Sequence, residues 1–326
     1  MSKIKKETGK SSKEKVKYKI VNWPAYNRAL INRGDITIYF TEEAMYNWYD
    51  EGPAQRGAQY VYSDLCIETM LLFKNVFRLP YRQTQGFAQS IFMLMGLDYL
   101  QIPSYTQMSR RSSSLELSVM ELPRSGNITV AIDSTGMKIY GEGEWKVRKH
   151  GYSKRRTWRK LHLGCDPDTG FIHCATLTTN DVDDASQLED LVDQVEAEIK
   201  EAYLDGAYDK EKCWDGLIDR QIAPIIPPRI DAVEWYEHQE GDIPDYPRNV
   251  AVRHMWEHGL EDWKIQSDYH RRSLSETQMF RIKTIFGDKL YSPILTRQQA
   301  EAKIKIRAIS IMTAQGMPVS IRVNAA

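Results

Sequence analysis

Two aspartates and one helical stripe carry residue types suited to phosphate chemistry. Asp133 lies within or at the end of the apolar run Asn127-Ile-Thr-Val-Ala-Ile-Asp133. Asp205 closes Ala202-Tyr-Leu-Asp205 directly before Gly206, the kind of strand end at which ligand sites of α/β sheets collect. A buried carboxylate is costly unless a cation matches it, and two on neighbouring strands repel unless an ion such as Mg²⁺ lies between them. The competing reading is that each aspartate caps the turn or helix that follows. A third acid comes with Tyr269, Arg272, Glu276 and Lys283, which stand at i, i+3, i+7 and i+14. On a single helix these four fall within an arc of about 60°. Leu274, Met279, Ile282, Ile285 and Phe286 take the other side, while Phe280 points toward the polar stripe. One carboxylate flanked by two cations and a phenol suits a scissile phosphate, although a solvated face has the same pattern. Ser273 with Glu276 also matches a capping box, which would start the helix later and leave Tyr269 and Arg272 outside it.

Positioning such groups needs a sheet and helices, and the periodicity supplies both. Residues 64–120 read as helical: Asp64 as a cap with Ile67, Leu71, Leu72, Val76 and Phe77 inward, then a helix from Leu79-Pro80 to Gly96. Ser104 and Gln107 form a capping-box signature, and the helix they open presents Gln107, Arg110 and Arg111. A polar, basic second helix is the helix-turn-helix pattern; a plain helical bundle is the alternative. After the linker 122–127 the period changes. Strands are expected at 127–133, 158–163 and 171–177, the last two joined by the turn Asp166-Pro-Asp-Thr-Gly170. A helix over 184–202, short strands at 202–205 and 221–226, and helices from Arg248 onward complete a mixed α/β chain.

The chain has 326 residues, 42% hydrophobic and 27% charged, which excludes a disordered or fibrous protein. No apolar run approaches the roughly 18 residues of a membrane span, and the Lys-rich start has no apolar stretch behind it as a secretory signal would. The formal net charge is zero, but the signs are segregated. Residues 1–20 carry eight lysines and read as a disordered basic tail. Between 146 and 162 stand Lys146, Arg148, Lys149, Lys154, Arg155, Arg156, Arg159 and Lys160 without an acid, interleaved with Tyr152 and Trp158, a pattern for nucleic-acid backbone. Four cysteines make no disulfide scaffold. His162, Cys165, His173 and Cys174 suggest zinc only weakly, because His173 and Cys174 are strand neighbours that face opposite ways. Neither a phosphate loop nor a nucleophile elbow is present.

Together these residues resemble the DDE transposases of bacterial insertion sequences. Tyr269, Arg272, Glu276 and Lys283 match the Tyr-x2-Arg-x3-Glu-x6-Lys signature around the family's glutamate, with Asp133 and Asp205 as its two aspartates. The stretches 133–145 and 153–162 and Ile226-Pro-Pro-Arg229 are similar to members of insertion-sequence family five. The resemblance implies an RNase H-like mixed-sheet core over 123–326, preceded by a helical DNA-end-binding domain over 21–122. It implies Asp133, Asp205 and Glu276 as catalytic and metal-binding residues for two Mg²⁺ ions, with Mn²⁺ able to replace them. Hydrolysis would free a 3′-OH that then attacks target DNA. Tyr269, Arg272, Lys283, the basic run with Trp158, and Gln107, Arg110 and Arg111 would contact DNA. The partners implied are terminal inverted repeats, target DNA and at least a second copy of the chain, in the bacterial cytoplasm beside the nucleoid. A DNA-binding regulator with an inactive core and an RNase H-fold nuclease are the two alternatives.

Overall fold

The computed structural model describes residues 17–53, 57, 59–115, 117, 127–139, 158–235 and 245–323. Most of the basic run, Lys146 to Arg156, lies outside them, as do residues 1–16 of the basic tail.

The first described strand corrects the expectation of a tail reaching residue 20. Strand β1 (Lys17–Ile20) pairs antiparallel with β8 (Ser320–Val323), joining the two ends of the described chain. Helices α1 (Trp23–Asn32) and α2 (Glu42–Tyr46) follow. Helix α3 (Asp64–Val76) is capped by Ser63 rather than Asp64: the Ser63 hydroxyl accepts from Cys66 N at 3.1 Å. Helix α4 (Tyr81–Leu94) starts immediately after Pro80. Helix α5 (Tyr105–Arg111) has the expected capping box, with Gln107 N donating to Ser104 Oγ and Ser104 N to Gln107 Oε1.

The sheet follows. Strand β2 (Ile128–Ile139) continues well past Asp133 because its second half pairs with β3 (Trp158–Cys165). A turn held by the Asp166 carboxylate leads to β4 (Ile172–Thr179): Oδ1 accepts from Asp168 N at 2.7 Å and Oδ2 from Thr169 Oγ1 at 2.8 Å. Gly170 closes that turn at φ 73°, a conformation that costs other residues energy. The expected helix over 184–202 does not form. A single 3₁₀ turn at Asp184–Gln187 and the short α6 (Leu188–Val192) give way to β5 (Ile199–Tyr203). Ile199 is spaced for a helix face, but it pairs with Ile128 in the sheet, so tertiary burial overrides local periodicity. Helix α7 (Glu211–Ile218) and β6 (Ala223–Ile225) complete a βαβ unit. Helices α8 (Pro247–His258), α9 (Leu260–Gln266) and α10 (Ser273–Phe286), strand β7 (Lys289–Leu290) and helix α11 (Leu295–Ala314) end the core.

The sheet order is β4-β3-β2-β5-β6, with β7 pairing the far end of β2. Strands β2, β3 and β4 run antiparallel, whereas β5, β6 and β7 join in parallel, so the α/β sheet is mixed. Alternation on β2 sends Ala131 and Met137 to one face and Val130 and Ile132 to the other. The second face packs on α6 and α7 through Leu188, Leu191, Trp214 and Leu217. The first packs on α10 and α11, and its apolar cluster runs on through Phe73 of α3 to Phe40 and Trp48. Core packing therefore crosses residue 122, and Glu68 of α3 pairs with Arg307 of α11. None of the helices is long and apolar enough to cross a membrane among the described residues.

Gly164 of β3 lies under side chains from both neighbouring strands: a Cβ there would meet Cys174 Sγ at 2.5 Å and Val130 Cγ1 at 2.9 Å. Gly164→Ala is expected to cost about 1–3 kcal/mol through overpacking, read as a lower denaturation midpoint in urea.

Candidate active site

The parallel pairing of β2 with β5 decides where the aspartates go. Its last matched pair is Ala131 with Tyr203, and two residues beyond each come Asp133 and Asp205. By alternation both carboxylates lie on the face that α10 covers, since Ala131 and Tyr203 belong to that cluster. Asp205 fulfils the capping alternative, its Oδ1 accepting from Ala207 N at 2.8 Å at the start of a 3₁₀ turn, whereas Asp133 caps nothing: it lies inside β2, where its Oδ1 accepts from Ser134 N at 2.8 Å. Burial raises the Asp133 pKa above its ordinary value; the negative charge of Asp205 pushes the same way, while the Ser134 N–H and Arg272 oppose it.

A 3₁₀ turn supplies the third group's neighbours. Asp268, left-handed at φ 51°, tips the chain into Tyr269–Arg272, and α10 begins only at Ser273. The single helix through all four signature residues is thus corrected: Tyr269 and Arg272 precede it. The Ser273 side chain makes no cap, however. Glu276 is in the first turn of α10, where an acid is favoured by the helix N-terminus. Phe280 is exposed, as its position on the polar stripe requires.

Arg272 ties the site together. Its Nη1 is 2.7 Å from Asp133 Oδ2 and its Nη2 2.6 Å from Glu276 Oε1. The guanidinium thus bridges an inner carboxylate, 15% exposed, and an outer one, 59% exposed. The expected convergence of three carboxylates on a metal takes a different form. Among the described residues no group of three His, Cys, Asp or Glu is placed to hold an ion, and Arg272 provides the positive charge. The donor chemistry nevertheless suits a hard divalent cation: carboxylate oxygens only, one on β2, one just past the end of β5, the third on an exposed side chain.

The remaining signature residues are also engaged. Lys283 Nζ donates to Thr135 Oγ1 of β2 at 2.5 Å, and burial lowers its pKa. The Tyr269 ring is 5.8 Å from that of Trp263 and 5.8 Å from the Arg272 guanidinium carbon. Burial raises the Tyr269 phenol to about 12, leaving it a hydrogen-bond donor.

Several expected DNA contacts turn inward. Arg159 Nε donates to Gln298 Oε1 at 2.8 Å, and Lys160 Nζ is 3.1 Å from Asp184 Oδ1. Trp158 covers Gly136, with Lys138 Nζ 5.7 Å from its ring. On α5 the Gln107 side chain closes the capping box, and Arg111 reaches Tyr62 O and the Asp64 carboxylate. Only Arg110 of that trio is exposed. Lys146, Arg148, Lys149, Lys154, Arg155 and Arg156 lie outside the described residues.

Sequence reasoning missed two supports. Asp209 and Arg248 form a buried two-point ion pair, with Nε to Oδ1 at 2.6 Å and Nη2 to Oδ2 at 3.1 Å. Trp214 Nε1 also donates to Asp209, and the Arg248 guanidinium lies 3.6 Å from the Trp235 ring centroid. This pair anchors α8 to the segment that follows Asp205, and the signal was an acid four residues after another at a strand end. The second support is Asp184, which accepts from Ser134 Oγ at 3.0 Å and from Lys160. His162 is fully buried beside it, with Nε2 2.8 Å from Thr178 Oγ1 and Nδ1 3.6 Å from Asp184 Oδ1. Burial lowers the His162 pKa below 6.5 despite Asp184. The four cysteines are buried free thiols, and no zinc cluster occurs among the described residues.

A family model described as "Transposase DDE domain" matches residues 124–312, more than half of the chain. A second with the same description matches residues 31–142. The chain is also similar to the cryo-EM structure of a piggyBac transposase synaptic complex with hairpin DNA. That likeness covers 92% of this chain and 78% of the other at 11% identity, with a TM-score of 0.37.

Two stability predictions follow from the site. Arg272→Ala is expected to cost about 1–3 kcal/mol in divalent-free buffer by leaving Asp133 unpaired, and adding Asp133→Asn should recover part of that loss in thermal unfolding. A depressed histidine pKa contributes stability above the unfolded value that is lost as pH falls through the folded one. His162→Gln should therefore flatten the decline in Tm between about pH 7 and pH 5.

Proposed function

The chain belongs to the DDE transposases, and from that premise we propose that Asp133, Asp205 and Glu276 form its reaction centre for cutting and joining DNA. The observation that carries the reading is the adjacent placement of Asp133 and Asp205 across the parallel β2/β5 pair, with Glu276 linked to Asp133 through Arg272. The core is read as RNase H-like, and helices α3 to α5 as the part that holds the element's terminal inverted repeats. At least two copies are needed to bring two ends together.

Divalent cations, Mg²⁺ in the first place, would be held by these three carboxylates; when bound they stabilise the phosphate's developing charge and activate the attacking oxygen. The protein's own part is positional. Asp133 presents its oxygens from the sheet, and Asp205 from the capped turn just beyond β5. Glu276 sits on an exposed first turn and closes the set when Arg272 releases it. Arg272 is then free to pair with a phosphate oxygen, a two-point contact that guanidinium geometry favours. Lys283 holds the strand beside Asp133 and offers a second cation, and the Tyr269 hydroxyl donates to a phosphate oxygen. In the first step water attacks the phosphate at the element end, and the 3′-oxygen leaves as the 3′-OH. In the second that 3′-OH attacks a target phosphate and displaces a target 3′-OH, so bonds balance without a protein–DNA adduct.

The Arg272 bridge is the one observation that favours a regulator with an inactive core, since it holds two of the three acids. Incubation of the full chain with its own element ends and Mg²⁺ separates the readings. Cleavage and strand transfer are expected. Asp133→Asn, Asp205→Asn or Glu276→Gln should each lower them by about 10³-fold or more, the equivalent of several kcal/mol of lost charge stabilisation. Gel-shift binding to the ends should persist in all three. Unchanged cleavage by these variants rejects the assignment, and cleavage without joining points instead to a nuclease.

A further inference from the structure

A cavity of about 450 Å³ lies at the C-terminal end of α10, between the end of α3 and the starts of α4 and α11. That volume is in the range of small-ligand sites, about 300–1,000 Å³. It is well apart from the three carboxylates. Phe286, in its wall, follows Glu276 by ten residues of the same helix, or about 15 Å.

Its wall is basic. Lys74, Arg78, Arg297 and Lys305 line it, and no carboxylate does. Two of these cations are occupied. Arg78 donates to the carbonyls of Thr284 and Ile285, closing the end of α10. Lys305 donates to Lys289 O at 2.8 Å and pairs with Glu301 at 2.9 Å. Glu301, the nearby acid, also accepts from Tyr291 N at 2.9 Å and Ser292 N at 3.2 Å, so its oxygens are committed. Lys74 and Arg297 have no ion-pair partner among the described residues. Arg297 Nε is buried without a hydrogen bond, and Lys74 Nζ sits 5.0 Å from the centroid of the Tyr81 ring. Burial and the Lys305 charge lower the Lys74 pKa, with Glu301 opposing them. The starts of α4 and α11 at the rim carry no side-chain cap, which adds partial positive charge.

Uncompensated cations in a half-enclosed space are unfavourable unless an anion enters. The rings of Tyr81 and Tyr291 in the same wall add flat apolar surface of the size of a base. We propose that this cavity is a nucleotide site, in which Lys74 and Arg297 hold a terminal phosphate monoester and the tyrosines border the base. The same chemistry is offered by a free mononucleotide and by the 5′-phosphorylated end of a DNA strand.

The test is equilibrium binding to the full chain in divalent-free buffer, read by calorimetry without any DNA cleavage, so its outcome is independent of the proposed function. The probes are dAMP, deoxyadenosine, and a deoxyadenosine dinucleotide with and without a 5′-phosphate. Binding of dAMP but not of the nucleoside supports a free-nucleotide site. Binding of only the phosphorylated dinucleotide supports a strand-end site. Lys74→Met and Arg297→Gln should each weaken the preferred probe at least tenfold, while the ligand-free Tm holds or rises because a repelling cation is gone. Arg297→Lys should retain most of the affinity, and Arg28→Ala, exposed on α1 and not part of the cavity wall, all of it. Equal binding with and without the phosphate, no binding of any probe, or wild-type affinity in both cavity variants would overturn the proposal.

Discussion

A carboxylate held inside an apolar sheet must be matched by positive charge, and Asp133 is matched by Arg272. Much of the surrounding structure serves that pairing. The sheet fixes one oxygen on the Ser134 N–H and turns the other toward α10. The 3₁₀ turn before α10 brings the guanidinium over at the depth where Asp133 is half-buried. From there the same guanidinium reaches Glu276, so an inner and an outer acid share one cation. A nearby second acid, Asp205, makes the shortage of positive charge worse, as the raised Asp133 pKa registers. One guanidinium thus balances two acids at once.

Support for the centre comes from both faces of the sheet. Beneath it, Asp184 gathers Ser134, Lys160 and the buried His162 into one polar group. Beyond Asp205, the Asp209–Arg248 pair is nearly sealed from water and is held further by Trp214. A pair like this contributes less to net stability than its geometry suggests, because both ions lose their hydration. Its consequence is specificity of position, since an alternative packing of α8 would strand a charge. Above the sheet, α11 packs on α3 and shares its apolar cluster with residues as early as Tyr39. The amino-terminal helices therefore share a core with the centre.

The cations sort by what they already hold. Arg111, Arg159 and Lys160 are spent on internal partners, which lowers what they can offer a polyanion. Arg110 faces solvent, and Lys74 and Arg297 face a cavity. Counting positive residues along a segment therefore overstates its affinity for phosphate; the number that matters is the cations left without a counter-ion after folding.

Local chemistry was legible in the chain itself. The capping box at Ser104 and Gln107, the Asp166 to Gly170 turn and the alternating strands all follow from interactions within a few residues, which any conformation of the neighbourhood can make. The three candidate acids stood out for a similar reason: an aspartate in an apolar strand and a glutamate among cations are conspicuous against their surroundings. What could not be read was anything set by partners distant in sequence. Residues 193–202 carry a helical spacing, yet β2 claims Ile199 because pairing in a buried sheet outweighs the local period. Arg111, Arg159 and Lys160 look like free cations until folding brings Asp64, Gln298 and Asp184 beside them. The sequence by itself determined which residue types could meet a phosphate. Only the tertiary structure decided that Arg272 stands between two of the acids, because that contact joins positions 139 residues apart, and nothing local to either one specifies the distance.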